Sequence, residues 1–137
     1  MKLSFTRRTK PFVFEVVNAS GATCVIDASE SIGGLNQGFR PMELLASSLA
    51  GCLSIDLLFI LQKQRKYPSI FSIEIEASRV ETVPSPFDQI MLHLQIDEEL
   101  NNEALSRMID LVLAKYCSVS ASLSESIKIN YTINKQS

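Results

Sequence analysis

The chain of 137 residues has few of the side chains that usually form metal sites. It contains one histidine, His93, and three cysteines, none of which belongs to a CxxC pair. Structural zinc sites take four cysteine or histidine ligands, often from such pairs. We therefore expect no metal and no cofactor, and we interpret His93 as a side chain on the surface of a sheet.

Basic clusters and a secretory signal are also missing from the sequence. Thirteen lysines and arginines stand against fifteen aspartates and glutamates, and the basic residues do not form the patch that nucleic-acid binding requires. The first ten residues, MKLSFTRRTK, contain no apolar signal segment, and three cysteines are an odd number for a disulfide framework. These features favour a cytoplasmic protein without a nucleic-acid partner, in which any disulfide is transient and catalytic.

One long apolar run has the length of a membrane span. The segment from Leu44 to Leu61 contains a single charge, Asp56. A carboxylate at the centre of a bilayer costs about 3 kcal/mol on insertion scales. Four small residues further dilute the apolar character of the run: Ser47, Ser48, Gly51 and Ser54. We therefore predict a buried helix in a protein without a membrane partner.

Periodic patterns predict an α+β fold in one domain that covers residues 1–137. Alternating residues and turns predict strands near residues 3–6, 12–17, 23–27, 71–78, 90–96 and 127–134. Helical spacing predicts a helix over residues 41–66 and a second helix that Asn101 or Asn102 caps. The apolar face of the second helix comprises Leu105, Met108, Ile109, Val112 and Tyr116. The order is βββαββαβ, with antiparallel strands that cover the helices.

The first predicted helix is long for a chain of this size. At about 1.5 Å per residue, the segment from Pro41 to Lys66 would extend roughly 40 Å. Pro68 is expected to end it, because proline disfavours a helical residue before it. Apolar residues lie on almost every side of this helix, and one subunit could hardly cover them all. We therefore expect a partner subunit against it.

Two cysteines are candidates for chemistry. Cys52 lies in the helical run LLASSLAGCLSIDLLFIL, and Cys117 begins the serine-rich segment CSVSASL. A thiolate can attack the O–O bond of a peroxide, become a sulfenic acid and condense with a second thiol. A thiol in an apolar helix needs a nearby cation or strong hydrogen-bond donors to ionise, because burial alone raises its pKa. Arg7, Arg8 or Arg40 could supply the cation.

Spacing alone leaves a packing role open for each of the three cysteines. A buried free cysteine behaves as a small apolar residue. Cys24 lies in the strand-like segment ATCVID, and we interpret it as a core residue. For Cys52 and Cys117, spacing does not decide between packing and catalysis.

The segments around these two cysteines resemble the OsmC/Ohr family of osmotically induced and organic hydroperoxide resistance proteins. The resemblance rests on RPMELLASSLAGC, which ends at Cys52, on its continuation SIDLLFILQKQRK, and on KYCSVSASL around Cys117. The βββαββαβ order extends it over nearly the whole chain, and GCLSID is similar to the YhfA-like branch. The resemblance implies antiparallel sheets around long central helices in an intertwined dimer, with the active site at the interface.

The same resemblance implies residue roles. Family peroxidases use a helix cysteine, matched by Cys52, and a resolving cysteine, matched by Cys117, and they pair an arginine with a glutamate. Met42 occupies the place of that glutamate, and Glu43 follows one residue later, turned by about 100° around the helix axis. Glu43 could act in the site or complement the helix dipole. Asp56 is a second departure, because an ionised carboxylate one turn from Cys52 disfavours a thiolate.

Three functional hypotheses are compatible with these residues. The first is a homodimeric thiol peroxidase that reduces small organic hydroperoxides, with Cys52 as nucleophile and Cys117 as resolver. A thiol or dithiol reductant, such as thioredoxin or a lipoylated protein, would regenerate it. The second is an OsmC-like protein that binds a small apolar ligand or senses redox state. The third is a structural dimer module of a stress response.

Overall fold

The computed structural model describes residues 1–97 and 101–135, which belong to two compact units. The first unit is Met1–Leu45 and the second is Ala46–Ser137. Each unit contains one three-stranded sheet, and helices precede or connect the strands of the second unit. The predicted α+β class is therefore confirmed, while the assignment of residues 1–137 to one domain stays a prediction.

An antiparallel meander forms the first unit. Its strands pair in the order β1 (Leu3–Thr9), β2 (Val13–Asn18) and β3 (Thr23–Ile26), and a 3-10 turn follows at Glu30–Ile32. The Phe5 and Phe14 rings stack across β1 and β2 with centroids 4.7 Å apart. Between β2 and β3, Gly21 adopts a left-handed conformation that glycine accepts without strain. Local turn chemistry thus produces the hairpins that the sequence predicts.

A buried carboxylate, Asp27, organises the loop after β3. Its Oδ1 accepts the Ala28 N–H at 2.7 Å, and its Oδ2 accepts the N–H groups of Leu35 at 2.9 Å and Gln37 at 3.2 Å. Burial alone would raise the pKa of Asp27, but these three backbone donors and the Arg40 guanidinium hold that pKa below its ordinary value. The carboxylate therefore fixes the glycine-containing loop that leads into the first helix.

We expect Asp27→Asn to lower the free energy of unfolding at pH 7. Asparagine has one side-chain oxygen, so its amide N–H₂ would face backbone donors and leave them unsatisfied. The pKa of Asp27 is lower in the folded state than its ordinary value of 3.8. Asp27 therefore makes its full contribution to the free energy of unfolding above pH 3.8, and this contribution is lost as the pH falls through the pKa of the folded state.

Urea unfolding of the wild type and the variant at a series of pH values tests this expectation. The difference in the free energy of unfolding between wild type and Asp27→Asn should be largest at pH 7 and should decrease below pH 3.8. Glu30→Gln is the control, because Glu30 is an exposed carboxylate of the same loop. Equal stability of Asp27→Asn and wild type at pH 7 would contradict the assigned role.

The first helix, α1, covers Pro41–Lys63 and is about 35 Å long. Arg65 adopts a left-handed conformation two residues after its end, with φ of 59°. The Lys66 N–H then donates to the Leu61 carbonyl at 3.0 Å, and the Arg65 N–H donates to the Gln62 carbonyl at 2.9 Å. This Schellman arrangement satisfies the final carbonyls. The predicted end at Lys66 is therefore wrong by three residues, because the cap ends the helix before the proline does.

The α1 helix buries one side and exposes apolar residues on another. Its buried residues are Ala46, Leu49, Ala50, Leu53, Leu57 and Leu61. Ile55 and Phe59, one turn apart, keep 71% and 55% of their surface exposed. Among the described residues, α1 is the one helix that meets the length and composition criteria for a membrane span. The core helix of a soluble protein meets the same criteria. Its apolar outer surface is consistent with the expected partner subunit.

A mixed sheet organises the second unit. Its strands are β4 (Phe71–Arg79), β5 (Phe87–Ile96) and β6 (Lys128–Lys135), with β5 in the centre. Strand β4 is antiparallel to β5, but β6 is parallel to it. The prediction of purely antiparallel sheets is therefore wrong for β6, because a helical crossover separates β5 from β6 and returns the chain in the same direction. Alternate residues of β5 from Ile90 onwards are buried, and so is Phe87 at the start of the strand: Phe87, Ile90, Leu92, Leu94 and Ile96.

The described part of the helical crossover begins with an α-helix and a π-helical turn. Asn101 caps α2 (Asn102–Leu111) by accepting a backbone N–H at 2.8 Å, which confirms one of the two predicted caps. A π-helical turn, Val112–Tyr116, follows, in which the Cys117 N–H reaches back to the Val112 carbonyl at 2.8 Å. This wider turn rotates the chain, so Tyr116 is 58% exposed. The predicted place of Tyr116 on the buried face is therefore wrong.

Candidate active site

The structure brings Cys52 and Cys117 together within the second unit. Cys52 is half-buried on α1, and Cys117 follows the π-helical turn with 2% of its surface exposed. The two thiols are neighbours, close enough for Cys52 to affect the pKa of Cys117, and both cysteines are free. Packing of α1 with the crossover thus creates a thiol pair from residues that are distant in sequence.

Local structure holds the Cys117 sulfur in place. Cys117 is the N-cap of a short helix, α3 (Ser118–Ser122), and its Sγ accepts the Ser120 N–H at 3.3 Å. Its own backbone N–H bonds to the π-helical turn. Helical spacing in the sequence did not predict α3 or this cap, although the three serines within CSVSAS are residues typical of a helix start. The sulfur therefore has a defined position relative to its neighbours.

Burial raises the pKa of Cys117 to about 11. The Ser120 N–H lowers it, whereas the hydrogen bond to Cys52 and the charge that Cys52 can carry raise it further. At neutral pH Cys117 keeps its proton. This is compatible with the role of a resolving cysteine and not with that of the thiolate that attacks a peroxide.

Asp56 contacts Cys52 from one turn further along α1. The Cys52 Sγ donates to the Asp56 Oδ2 at 3.9 Å, and both side chains are half-buried. This is the face that the four-residue spacing predicts. A carboxylate thus lies beside the sulfur that the sequence analysis assigns as nucleophile.

The candidate arginines lie in the first unit. Arg8 forms an ion pair with Glu15, its Nε donating to Glu15 Oε2 at 2.7 Å. Arg40 donates from its two Nη atoms to oxygen acceptors of the preceding loop at 2.9 and 3.2 Å. Arg7 is exposed on β1. The resemblance implies an arginine paired with a glutamate, and Arg8 with Glu15 is such a pair; which arginine assists Cys52 stays a prediction.

Glu43 and Cys24 border a cleft within the first unit. Glu43 Oε2 accepts the Arg40 N–H at 2.8 Å, which is the contact of a capping box at the start of α1. The geometry therefore favours the helix-stabilising interpretation of Glu43. Cys24 is half-buried and lines the same cleft, whose volume is about 590 Å³.

His93 lies on the sheet of the second unit, as its sequence pattern predicts. Its Nδ1 and the Thr132 Oγ1 are 2.8 Å apart, and its Nε2 is 3.7 Å from Glu76 Oε2. Within residues 1–97 and 101–135, histidine, cysteine, aspartate and glutamate form no group of three that could hold a metal ion. The thiol pair is therefore the cluster that supports a chemical function.

Sequence comparison identifies the family. A family model described as OsmC-like protein matches residues 34–132. The chain belongs to the OsmC-like protein family. Protein YhfA of Escherichia coli is 30% identical to it over 116 residues, which cover 84% of each chain. The predicted resemblance to OsmC/Ohr proteins is therefore confirmed, and the curated relative agrees with the YhfA-like segment GCLSID.

Solved structures share the fold of this OsmC-like protein. An osmotic stress induced and detoxification response protein of Psychrobacter arcticus superposes with a TM-score of 0.87 at 18% identity, covering 98% of this chain and 96% of the other. The organic hydroperoxide resistance protein OhrB of Bacillus subtilis gives a TM-score of 0.68 at 16% identity, covering 98% of both chains. At these identities the comparison establishes the OsmC-like fold.

Proposed function

We propose that this OsmC-like protein is a thiol peroxidase that reduces organic hydroperoxides through Cys52 and Cys117. The proximity of the two thiols within the second unit is the observation that carries the proposal. Family membership and the structural similarity to organic hydroperoxide resistance proteins support a redox role in peroxide resistance. We further propose a cytoplasmic location, where thiol reductants keep such a pair reduced.

The first half-reaction uses the more accessible sulfur. The Cys52 thiolate attacks the terminal oxygen of R–O–O–H, an S–O bond forms and the O–O bond breaks. The departing alkoxide takes up a proton and leaves as the alcohol ROH. Cys52 is then a sulfenic acid, oxidised by two electrons, and the peroxide has been reduced by two electrons. The half-buried position of Cys52 favours it over buried Cys117 for this step.

The second half-reaction joins the two sulfurs. The Cys117 sulfur attacks the Cys52 sulfur, an S–S bond forms and the S–O bond breaks. Hydroxide leaves and combines with the Cys117 proton as water. An external dithiol then reduces the disulfide and is itself oxidised to a disulfide. Because the two thiols are already neighbours, we expect this step to need little movement.

Catalytic consumption of a peroxide is the experiment that tests the function. The reduced protein is mixed with an excess of cumene hydroperoxide and a small dithiol, and the remaining peroxide is measured over time. The proposal predicts many equivalents consumed for each protein chain. Consumption of a single equivalent would instead support the alternative of a redox-sensing or ligand-binding protein, which the carboxylate beside Cys52 favours.

We expect the protein to be a homodimer that buries the exposed apolar side of α1. Combined Ile55→Ser and Phe59→Ser changes should convert it to a monomer, because apolar burial drives such association. Light scattering coupled to size-exclusion chromatography measures the mass. Val83→Ser, at an exposed apolar loop position, is the control and should remain dimeric. A monomeric wild type, or a double variant that stays dimeric, would contradict this arrangement.

A further inference from the structure

The carboxylate of Asp56 gives the reacting sulfur a charged neighbour that the two half-reactions do not use. We propose that Asp56 makes Cys52 selective for uncharged or cationic oxidants and against anionic ones. The inference rests on the proposed role of Cys52 as the attacking thiol. It narrows the substrate class from organic hydroperoxides in general to organic hydroperoxides that carry no negative charge.

The contacts of the thiol pair show why one carboxylate can set this preference. Asp56 Oδ2 lies 3.9 Å from Cys52 Sγ on the same helix. From the crossover, Cys117 faces Cys52 as a thiol that keeps its proton at neutral pH, and it is itself held by the neutral backbone N–H of Ser120. Among these contacts of the described residues, Asp56 supplies the only fixed charge.

Coulomb repulsion gives the preference its size. An electrophile that bonds to Cys52 Sγ must come within about 4 to 6 Å of the Asp56 carboxylate. At such distances the carboxylate repels an anion appreciably, even at the high effective dielectric constant of a partly exposed site. It attracts a cation and has little effect on a neutral molecule. We expect rates that differ by about tenfold between otherwise similar neutral and anionic reagents.

Alkylation with iodoacetamide and iodoacetate isolates this charge effect. The same Cys52 thiolate attacks both reagents, a C–S bond forms and iodide leaves, so the ratio of the two rates does not depend on how much thiolate is present. Peptide mass spectrometry gives the rate at Cys52 separately from the other cysteines. Free cysteine supplies the intrinsic ratio of the reagents.

We expect the iodoacetamide to iodoacetate ratio at Cys52 to exceed that of free cysteine by about tenfold at low ionic strength. Asp56→Asn should bring the ratio close to that of free cysteine, whereas Asp56→Glu should retain most of the preference. Glu103→Gln removes an exposed carboxylate of the same unit and should leave the ratio unchanged. High salt should weaken the preference in the wild type, which tests the charge without any substitution.

Equal ratios in wild type and Asp56→Asn, a ratio insensitive to salt, or a Cys52 that neither reagent modifies would overturn the inference. The outcome is separable from that of the proposed function. A wild type that discriminates between the reagents but does not turn over cumene hydroperoxide keeps the charge effect and removes the peroxidase. Turnover without discrimination keeps the peroxidase and removes the role of Asp56.

Discussion

Replacing Cys52 with serine is expected to abolish peroxide turnover. A serine hydroxyl fits the same space on α1 and can donate to Asp56 as the thiol does. It does not ionise near neutral pH, however, and it cannot form the sulfenic acid that passes oxidation to Cys117. The rate of peroxide consumption should fall by at least about a thousandfold, as for loss of a nucleophile in other enzymes.

The cumene hydroperoxide assay measures this loss directly, and Cys24→Ser is the matched control. Cys24 is a half-buried cysteine of the first unit, whereas the thiol pair belongs to the second. Its replacement should leave turnover near the wild-type rate. Equal turnover in Cys52→Ser and wild type would show that another group reduces the peroxide.

Replacing Cys117 with serine should stop the reaction after one oxidation per chain. Cys52 would still become a sulfenic acid, but no neighbouring sulfur could convert it to a disulfide. The fold should tolerate the change, because a serine hydroxyl caps α3 at least as well as the thiol that now accepts the Ser120 N–H. Stalling should therefore reflect chemistry and not loss of structure.

Trapping the intermediate tests this second expectation. Dimedone forms a stable thioether with a sulfenic acid, so Cys117→Ser treated with peroxide should carry the adduct on Cys52, while the wild type should carry little. Circular dichroism checks that the variant is folded. Full steady-state turnover of Cys117→Ser with a dithiol would mean that an external thiol resolves Cys52 and that the role of Cys117 is wrong.

Local patterns were sufficient to predict most of the secondary structure and one feature of the site. Alternating residues located the six strands, and the two candidate caps, Asn101 and Asn102, located the start of α2 to within one residue. The four-residue spacing placed Asp56 on the face of Cys52, because both belong to one helix. These features depend on residues that are close in sequence, so they can be predicted without knowledge of the tertiary fold.

Features that depend on distant residues were not predictable in this way. The parallel pairing of β6 requires knowledge of where the crossover returns the chain. The three N–H groups that surround Asp27 converge only when the following loop is folded. The thiol pair itself was predicted from family resemblance, and spacing alone had left both sulfurs open to a packing role.

The candidate arginines illustrate the same limit. Arg8 occupies an irregularity in the pairing of β1 and β2, where the register shifts between Arg7 and Thr9. A bulge of this kind redirects a side chain, and here Arg8 pairs with Glu15. Simple alternation along β1 does not reveal such a shift, so it could not rank Arg7 against Arg8.

Disulfide mapping after exposure to one equivalent of cumene hydroperoxide tests the central claim most directly. The reduced protein is treated briefly, its remaining thiols are blocked, and its peptides are analysed by mass spectrometry without reduction. The proposed mechanism predicts prompt formation of one intramolecular disulfide between Cys52 and Cys117, with Cys24 still free. If Cys52 and Cys117 both remain free thiols after this treatment, the proposed mechanism is contradicted.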